Sequence, residues 1–368
     1  MKVKYSYLAE QFQDHHAIFE SIDELIKSGD YTLGKPVQEF EKKFAKLIDT
    51  KYAVGVNSGT DALFLSLKAI GVGGGDEVIT APNTFIATVG AIVATGAKPV
   101  FVDVLDDYTI NPELIEEAIT SKTKAIMPVH YAGHPADMPS IMSIAEKHGL
   151  QVVEDSCQAI SAAIDNKCAG TFGISGGFSL HPLKNLNVWG DGGIIVTNSS
   201  DIHDKLILLR NHGLKNRDMV QMFGYNSRLD SLQAVVGNHL INEMEKITEK
   251  RIKWANKLDA GLVNLKDYIT IPERKQNRRY VYHLYMLMVK DRDKLLSYLN
   301  KNEIEAKVHY PLPLHLQEAA RPFGYKKGDF PVSEALSKSI ITFPVHQHLT
   351  EKQVNFMIEK VRDFYREI

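Results

Sequence analysis

The chain has 368 residues, 44% apolar and 24% charged: an ordinary globular composition at a length that favours one large and one smaller domain. Its 43 basic and 45 acidic side chains leave a formal net charge of −2, which gives no electrostatic footprint for nucleic acid or an anionic membrane surface. Two cysteines, Cys157 and Cys168, are too few for a disulfide framework and point to a reducing, cytoplasmic location.

Taken from its start, Met1-Lys-Val-Lys lacks the continuous apolar stretch of a secretory signal. Residues 1–50 read as a charged helical arm, broken at Tyr31-Thr-Leu-Gly34 before the amphipathic segment Val37–Leu47, whose apolar face suits packing on a neighbouring chain or rimming a site. From Lys51 to Val196 short β-branched runs alternate with helical segments: Tyr52–Val56, Glu77–Thr80, Pro99–Asp103, Ala125–Val129 and Gln151–Glu154. That alternation predicts an α/β fold with a mostly parallel sheet. The uncharged run Val78–Ala97 is interrupted by Pro82 and Asn83 and reads as strand, loop and helix, not as a membrane span.

Four places in this half carry residue types suited to chemistry. Asn57-Ser-Gly-Thr-Asp-Ala-Leu63 follows a strand and opens a helix to about Ile70, so Gly59 and Thr60 offer backbone N–H groups and a hydroxyl to a phosphate; an ordinary helix cap would look the same. Phe85, in the next strand-to-helix loop, is either a core ring or one able to lie on a flat ligand. Asp155 falls at the carboxyl end of a buried-type strand, where open α/β sheets place their ligands, and equally where a cap or ion pair would sit. Cys157 beside it reads as a small packing residue. Lys184 lies on irregular backbone between glycine-rich turns and next to Pro182. A free lysine, pKa ~10.4, is mostly an inert cation at neutral pH, and becomes a reagent when an aldehyde converts it to a Schiff base. The run Gly71-Val-Gly-Gly-Gly75 follows a helix and precedes a strand, the reverse of a dinucleotide-binding context.

After Asp201 the pattern is helical, and Leu232–Gly261 is long enough for a spine joining two domains, 1–250 and 251–368. The cluster Arg274–Arg279 reads as a solvated loop that could meet a diphosphate, Arg279–Val289 as a half-buried strand, Asp291–Lys301 as a helix, and the stretch from Thr350 as a final helix. Between these, Lys307-Val-His-Tyr-Pro-Leu-Pro-Leu-His-Leu-Gln317 is a proline-stiffened loop whose His309, Tyr310 and His315 are either hydrogen-bond donors for a sugar or parts of a structural turn. His346 and His348 have no Cys or acidic partner at metal-site spacing, so they read as a surface loop and no metal is expected.

The series Ser-Gly-Thr-Asp-Ala-Leu, Thr-Phe-Ile-Ala-Thr, Glu-Asp-Ser-Cys-Gln, Phe-Ser-Leu-His-Pro-Leu-Lys-Asn-Leu with Gly-Asp-Gly-Gly, and Gly224-Tyr-Asn-Ser-Arg-Leu-Asp230 resembles the nucleotide-sugar aminotransferases of the DegT/DnrJ/EryC1/StrS family, over nearly the whole chain and in order. The resemblance implies a fold-type-I, aspartate-aminotransferase-like architecture: a large domain around a mostly parallel sheet and a smaller α+β C-terminal domain. It further implies pyridoxal phosphate carried by Lys184 as a Schiff base, Asp155 on the ring nitrogen, Gln158 near the ring hydroxyl, Phe85 stacked on the ring, and Gly59, Thr60 and Ser179 at the phosphate. In such enzymes an asparagine of the partner subunit completes the phosphate site; Asn226 matches best and Arg228 is the second candidate, so a homodimer is expected. A loop of the form His-Tyr-Pro-x-Pro-x-His-Leu-Gln is similar to that of members acting on 3-keto sugars, which makes His309, Tyr310 and His315 substrate-side candidates.

The reaction so implied moves an amino group from glutamate to a nucleotide-linked keto-sugar in amino-sugar biosynthesis, with pyridoxamine phosphate as the halfway form and Lys184 shuttling the proton. Lysine at 184 argues against the family's sugar dehydratases, which have histidine there. Amination at carbon 4, a non-nucleotide keto-sugar or cyclitol substrate, and a sensory or scaffold protein without turnover remain the competing readings.

Overall fold

The computed structural model describes residues 1–367. Two amphipathic helices, α1 (His16–Ser28) and α2 (Lys35–Ile48), open the chain, with Gly29 and Leu33 in left-handed backbone at the break between them. There follow β1 (Tyr52–Val56), α3 (Gly59–Ala69), β2 (Glu77–Thr80), α4 (Ile86–Ala94), β3 (Lys98–Phe101), β4 (Thr123–Ile126), α5 (Met138–His148), β5 (Gln151–Asp155), β6 (Ser175–Ser179), β7 (Gly193–Thr197) and α6 (Ser200–Leu209). The seven strands form one sheet in the order β1-β7-β6-β5-β4-β2-β3. Pairing from β6 through β3 is parallel, while β7 runs antiparallel to both of its neighbours. The sheet is thus α/β and mostly parallel.

Helices on both faces explain why the central strands are apolar without interruption. Along β7, Ile194 and Val196 point into a core with Phe40, Phe44 and Phe178, while Ile195 between them joins Leu65 and Leu206 on the other side. Burying each such side chain stabilises the fold by about 1.5–3 kcal/mol. The apolar face of α2, expected to be open to a neighbour or a site, is used here: Val37, Phe40, Phe44 and Ile48 are buried against the chain's own sheet.

Next come α7 (Ser231–Leu240) and α8 (Met244–Leu262), separated by a 3-10 turn at Ile241–Glu243, so the spine expected from Leu232 to Gly261 is interrupted. Ile247 of α8 belongs to the core around β7, and Trp254 to a second core. Around that second core stand β8 (Ile269–Thr270), β9 (Tyr285–Val289), α9 (Arg292–Lys301), β10 (Ile340–Phe343) and α11 (Glu351–Arg366), with β8-β9-β10 an antiparallel sheet, while α10 (Pro331–Ser339) packs Leu336 on the other side with Met286 and Ile340. A capping box, Thr350 with Gln353, starts α11. Val3 pairs with Ile304 and lies in the second core. We propose that the division expected at 250/251 runs through α8 between Ile247 and Trp254, with the first residues assigned to the C-terminal unit.

Three local expectations are corrected. The strand expected over Arg279–Val289 begins only at Tyr285, because Tyr282 is left-handed (φ 47°) and the N–H groups of Val281 and Leu284 donate to Gly133 and Ala132 instead of to a sheet partner. The arginine cluster is not a solvated loop: Arg274 pairs with Asp259, Arg278 with Asp107, and Arg279 with Glu245 and Glu249. His346 is 6% exposed, stacked on Tyr7 and within 3.2 Å of the Lys4 carbonyl, so its segment is not a surface loop. No helix is long and apolar enough to cross a membrane, and no cluster of His, Cys, Asp and Glu could hold a metal ion, among the described residues.

Candidate active site

At the carboxyl ends of β5 and β6 the sheet opens into a cleft of about 290 Å³. Asp155, the last residue of β5, is 4% exposed; its Oδ2 accepts from the Thr88 hydroxyl at 2.7 Å and its Oδ1 from the Cys157 N–H at 3.1 Å. Thr88 spends its one proton on Asp155, so the 2.8 Å contact between Thr84 and Thr88 must be a bond donated by Thr84. The Cys157 thiol is wedged against the Gly59 and Gly177 carbonyls, and burial pushes its pKa well up, which suits packing and not nucleophilic attack.

Ser58 caps α3 by accepting from the Asp61 N–H, which leaves the Gly59 and Thr60 N–H groups without an intrahelical partner at the cleft. A Cβ on Gly59 would meet Ser179 Cβ at 2.6 Å and Cys157 Sγ at 3.0 Å; glycine is what lets α3 start against the end of β6. Gln158 accepts from the Ala132 N–H at 2.7 Å through Oε1, which commits its NH2 as the donor on the cleft.

Lys184 lies on the loop between β6 and β7. Its carbonyl is held by the Tyr7 hydroxyl at 3.0 Å and by Asn187 Nδ2 at 2.9 Å, and Asn185 ties the loop to the Val281 carbonyl. The amine itself has no hydrogen bond or ion pair among the described residues. Burial lowers the lysine's pKa, while nearby Cys157 and Asp155 act in the opposite sense.

The remaining wall comes from the C-terminal half. His309 stands 2.9 Å from the Thr342 hydroxyl, and burial, reinforced by Lys307 and Lys184, brings its pKa down to about 4. Tyr310, raised to about 12 by burial and then by Asp155, tilts toward Phe85 with ring centres 6.0 Å apart. Both are therefore neutral at pH 7. Phe85 is 50% exposed on this cleft, an unusual place for an aromatic ring with nothing to cover it.

Of the residues singled out from sequence, Gly59, Thr60, Phe85, Asp155, Gln158, Ser179, Lys184, His309 and Tyr310 line this one cleft. His315 does not: it is 2% exposed, with Nε2 3.1 Å from Glu334, and serves to brace its loop, which corrects its choice as a substrate contact. Asn226, exposed, and Arg228, which donates to Asn211, are also outside the cleft of their own chain. Tyr5, Thr88, His181, His283 and Lys307 were missed. His283 had a signal: the alternating tyrosines at 280 and 282 shift parity to 285, which marks a break in the strand at this histidine.

These residues fit pyridoxal phosphate. Asp155 is a buried carboxylate with no cation paired to it among the described residues, as a protonated ring nitrogen requires. A bare aromatic face, open N–H groups at a helix start and a lysine amine of lowered pKa complete the set. Fold and site together define a pyridoxal-phosphate-dependent aminotransferase.

The chain belongs to the DegT/DnrJ/EryC1/StrS aminotransferase family, whose model matches residues 13–362. It is 40% identical over its full length to 99% of the pleiotropic regulatory protein of Geobacillus stearothermophilus. With the dTDP-3-amino-3,4,6-trideoxy-alpha-D-glucose transaminase of Streptomyces venezuelae it shares 38% identity, over 94% of this chain and 91% of that one. The crystal structure of S. venezuelae DesV in complex with a ketimine intermediate superposes with a TM-score of 0.96 at 37% identity, covering 99% of this chain and 98% of that one. Other solved structures similar to this chain hold the pyridoxamine or the pyridoxal form of the cofactor.

Proposed function

We propose that this aminotransferase transfers the amino group of glutamate to a nucleotide-linked 3-keto sugar, working as a homodimer with Lys184 and Asp155 at its centre. The convergence of Lys184, Asp155 and Gln158 on one cleft with His309 and Tyr310 on its other wall carries this reading. Carbon 3 is favoured by the His309-Tyr310 loop and by the 3-amino sugar named for the Streptomyces relative.

Bound in the cleft, pyridoxal phosphate supplies an aldehyde to carry the amino group and a ring to take up the negative charge of a deprotonated carbon. Asp155 would hold the ring N–H, Phe85 would cover the ring face, and Gly59, Thr60 and Ser179 would donate to the phosphate. Lys184 Nζ, its pKa lowered by burial, would accept the proton from the donor's α-carbon and return a proton to the product sugar. Lys307, which enters no ion pair among the described residues, offers a cation for a substrate carboxylate or phosphate.

Dimerisation is supported by the loop before Asn226, where Met219, Val220, Met222, Phe223 and Tyr225 are exposed, Phe223 to 97%. Covered by a second copy, that loop would carry Asn226 toward the partner's phosphate site. Lys184→Ala is expected to abolish turnover and the borohydride-fixable chromophore together. Mixing Lys184→Ala with Asn226→Ala protein should restore activity above the sum of the two, because one site of each mixed dimer is intact; purely additive activity would contradict the shared site. Purified keto-sugars, scored by the carbon that gains nitrogen, test the substrate: a product aminated at carbon 4 would overturn the 3-keto reading.

A further inference from the structure

The turn His130–His134, beyond the end of β4, reaches both walls of the cleft. The His130 N–H donates to the Asp155 carbonyl at 3.0 Å and the Ala132 N–H to Gln158 Oε1 at 2.7 Å, while the Tyr131 hydroxyl donates to the His309 carbonyl at 2.6 Å. Asp155 and Gln158 belong to the cofactor side of the cleft, and His309 to its sugar side.

The turn is held in a backbone shape that few residues would choose. Ala132 is fully buried at φ 60° and ψ 4°, a left-handed conformation that residues with a Cβ rarely adopt. Both of its main-chain groups are employed there: the N–H on Gln158, and the carbonyl on the Leu284 N–H at 3.2 Å. At Gly133, φ 87°, a Cβ would lie 2.8 Å from Val281 Cγ2 and 3.0 Å from the Tyr282 and His283 nitrogens. The turn is thus wedged against residues 281–283, and Tyr131 is fixed with it.

The loop that Tyr131 holds has little else to hold it. From Val308 to Pro311 the His309 carbonyl is the one main-chain group that makes a hydrogen bond among the described residues; Lys307 pairs with Thr342 before it, and the Leu314 N–H donates to the Pro82 carbonyl after it. That carbonyl belongs to the peptide joining His309 to Tyr310, so its direction governs how both side chains leave the main chain. Burial first, then Tyr310, Tyr108 and Tyr5, raise the pKa of Tyr131 well above the ordinary value, so the phenol keeps its one proton and donates it to His309. Its ring packs edge-on to Tyr108 with centres 6.5 Å apart and tilts toward Tyr310 at 6.4 Å, contacts that do not need the hydroxyl.

We propose that Tyr131 is a positioning residue for the sugar half of the reaction: its hydroxyl sets the His309–Tyr310 peptide against the cofactor side of the cleft, to which the same turn is tied through Gln158. The proposal rests on the reading of His309 and Tyr310 as the wall that meets the sugar. The glutamate half depends on Lys184, Asp155 and Gln158, whose contacts the loss of this hydroxyl leaves in place.

The test follows each half-reaction at the cofactor absorbance in loaded Tyr131→Phe protein, which keeps the ring and loses the hydroxyl. The keto-sugar half is expected to lose about tenfold in kcat/KM, while the glutamate half stays within about twofold and the cofactor spectrum is unchanged. Equal loss in both halves, or none in the sugar half, would overturn the proposal. His309→Ala and Tyr310→Ala supply the comparison. Each should slow the sugar half, and Tyr131→Phe added to the protein carrying both should cost little more, because a residue that acts through the loop then has nothing left to position. A further loss as large as that of Tyr131→Phe alone would give the hydroxyl a role apart from the loop and overturn the proposal. If His309→Ala and Tyr310→Ala leave the sugar half untouched, the wall itself is misassigned and the role of Tyr131 falls with it. If they slow it and Tyr131→Phe does not, the wall stands and the positioning role alone is lost.

Discussion

Glu154 and Asp155 are adjacent carboxylates on β5 with opposite employment, because successive side chains of a strand face opposite sides of its sheet. Glu154 is fully buried, and four donors saturate it: the N–H groups of Gly170, Phe172 and Gly173 at 2.7 Å and His130 Nε2 at 2.9 Å. Glu154→Ala would leave those donors unpaired in the interior, so a loss of about 3–5 kcal/mol in denaturant unfolding is expected. Asp155 holds fewer bonds and borders the cleft. Asp155→Asn should leave unfolding within about 1 kcal/mol of the unaltered protein and yet slow turnover by roughly a hundredfold or more, measured as kcat on the same preparation. The sequence placed Asp155 at the carboxyl end of this strand, and strand parity turns it toward the cleft and Glu154 away from it.

At the scale of elements, the start of α3 is set by contact and not by propensity. Gly59→Ala puts a methyl group against Ser179 and Cys157, so the helix must retreat from β6 and its open N–H groups with it. Weaker cofactor binding, by about tenfold or more in an absorbance titration, is expected with the far-ultraviolet spectrum unchanged. Strands β1, β2 and β5 and the helices after Ser58 and Thr350 were legible because their periodicity and caps are local. The stretch Tyr280–Leu284 was not. Its β-branched and aromatic residues favour a strand, but Gly133 and Ala132, far away in sequence, take its N–H groups.

The whole molecule carries several histidines kept neutral by burial. His346, with an ordinary value of 6.5, is lowered to about 3, and His134 and His283 lie well below it. The unfolded chain therefore binds more protons than the folded one between these values, so stability is complete above about pH 6.5 and falls as pH drops toward the folded-state pKa. At pH 5 His346 alone removes about 2 kcal/mol. Denaturant midpoints at pH 7 and pH 5 should separate accordingly, and His346→Gln should narrow the gap by about that amount. A gap of unchanged width would assign the acid sensitivity to other groups.

By itself the sequence determined the class of fold, since strands and helices alternate in short runs whose backbone conformation depends on near neighbours, and its motifs named candidates for the site. Tertiary structure decided which candidates meet. It brought His309 and Tyr310 to the cleft and turned His315 away onto Glu334. The meeting of His309 and Tyr310 with Asp155 and Lys184 depends on close packing between segments more than a hundred residues apart, where a shift of a few ångströms decides whether a polar atom faces a ligand or a neighbour, and no local pattern encodes that distance.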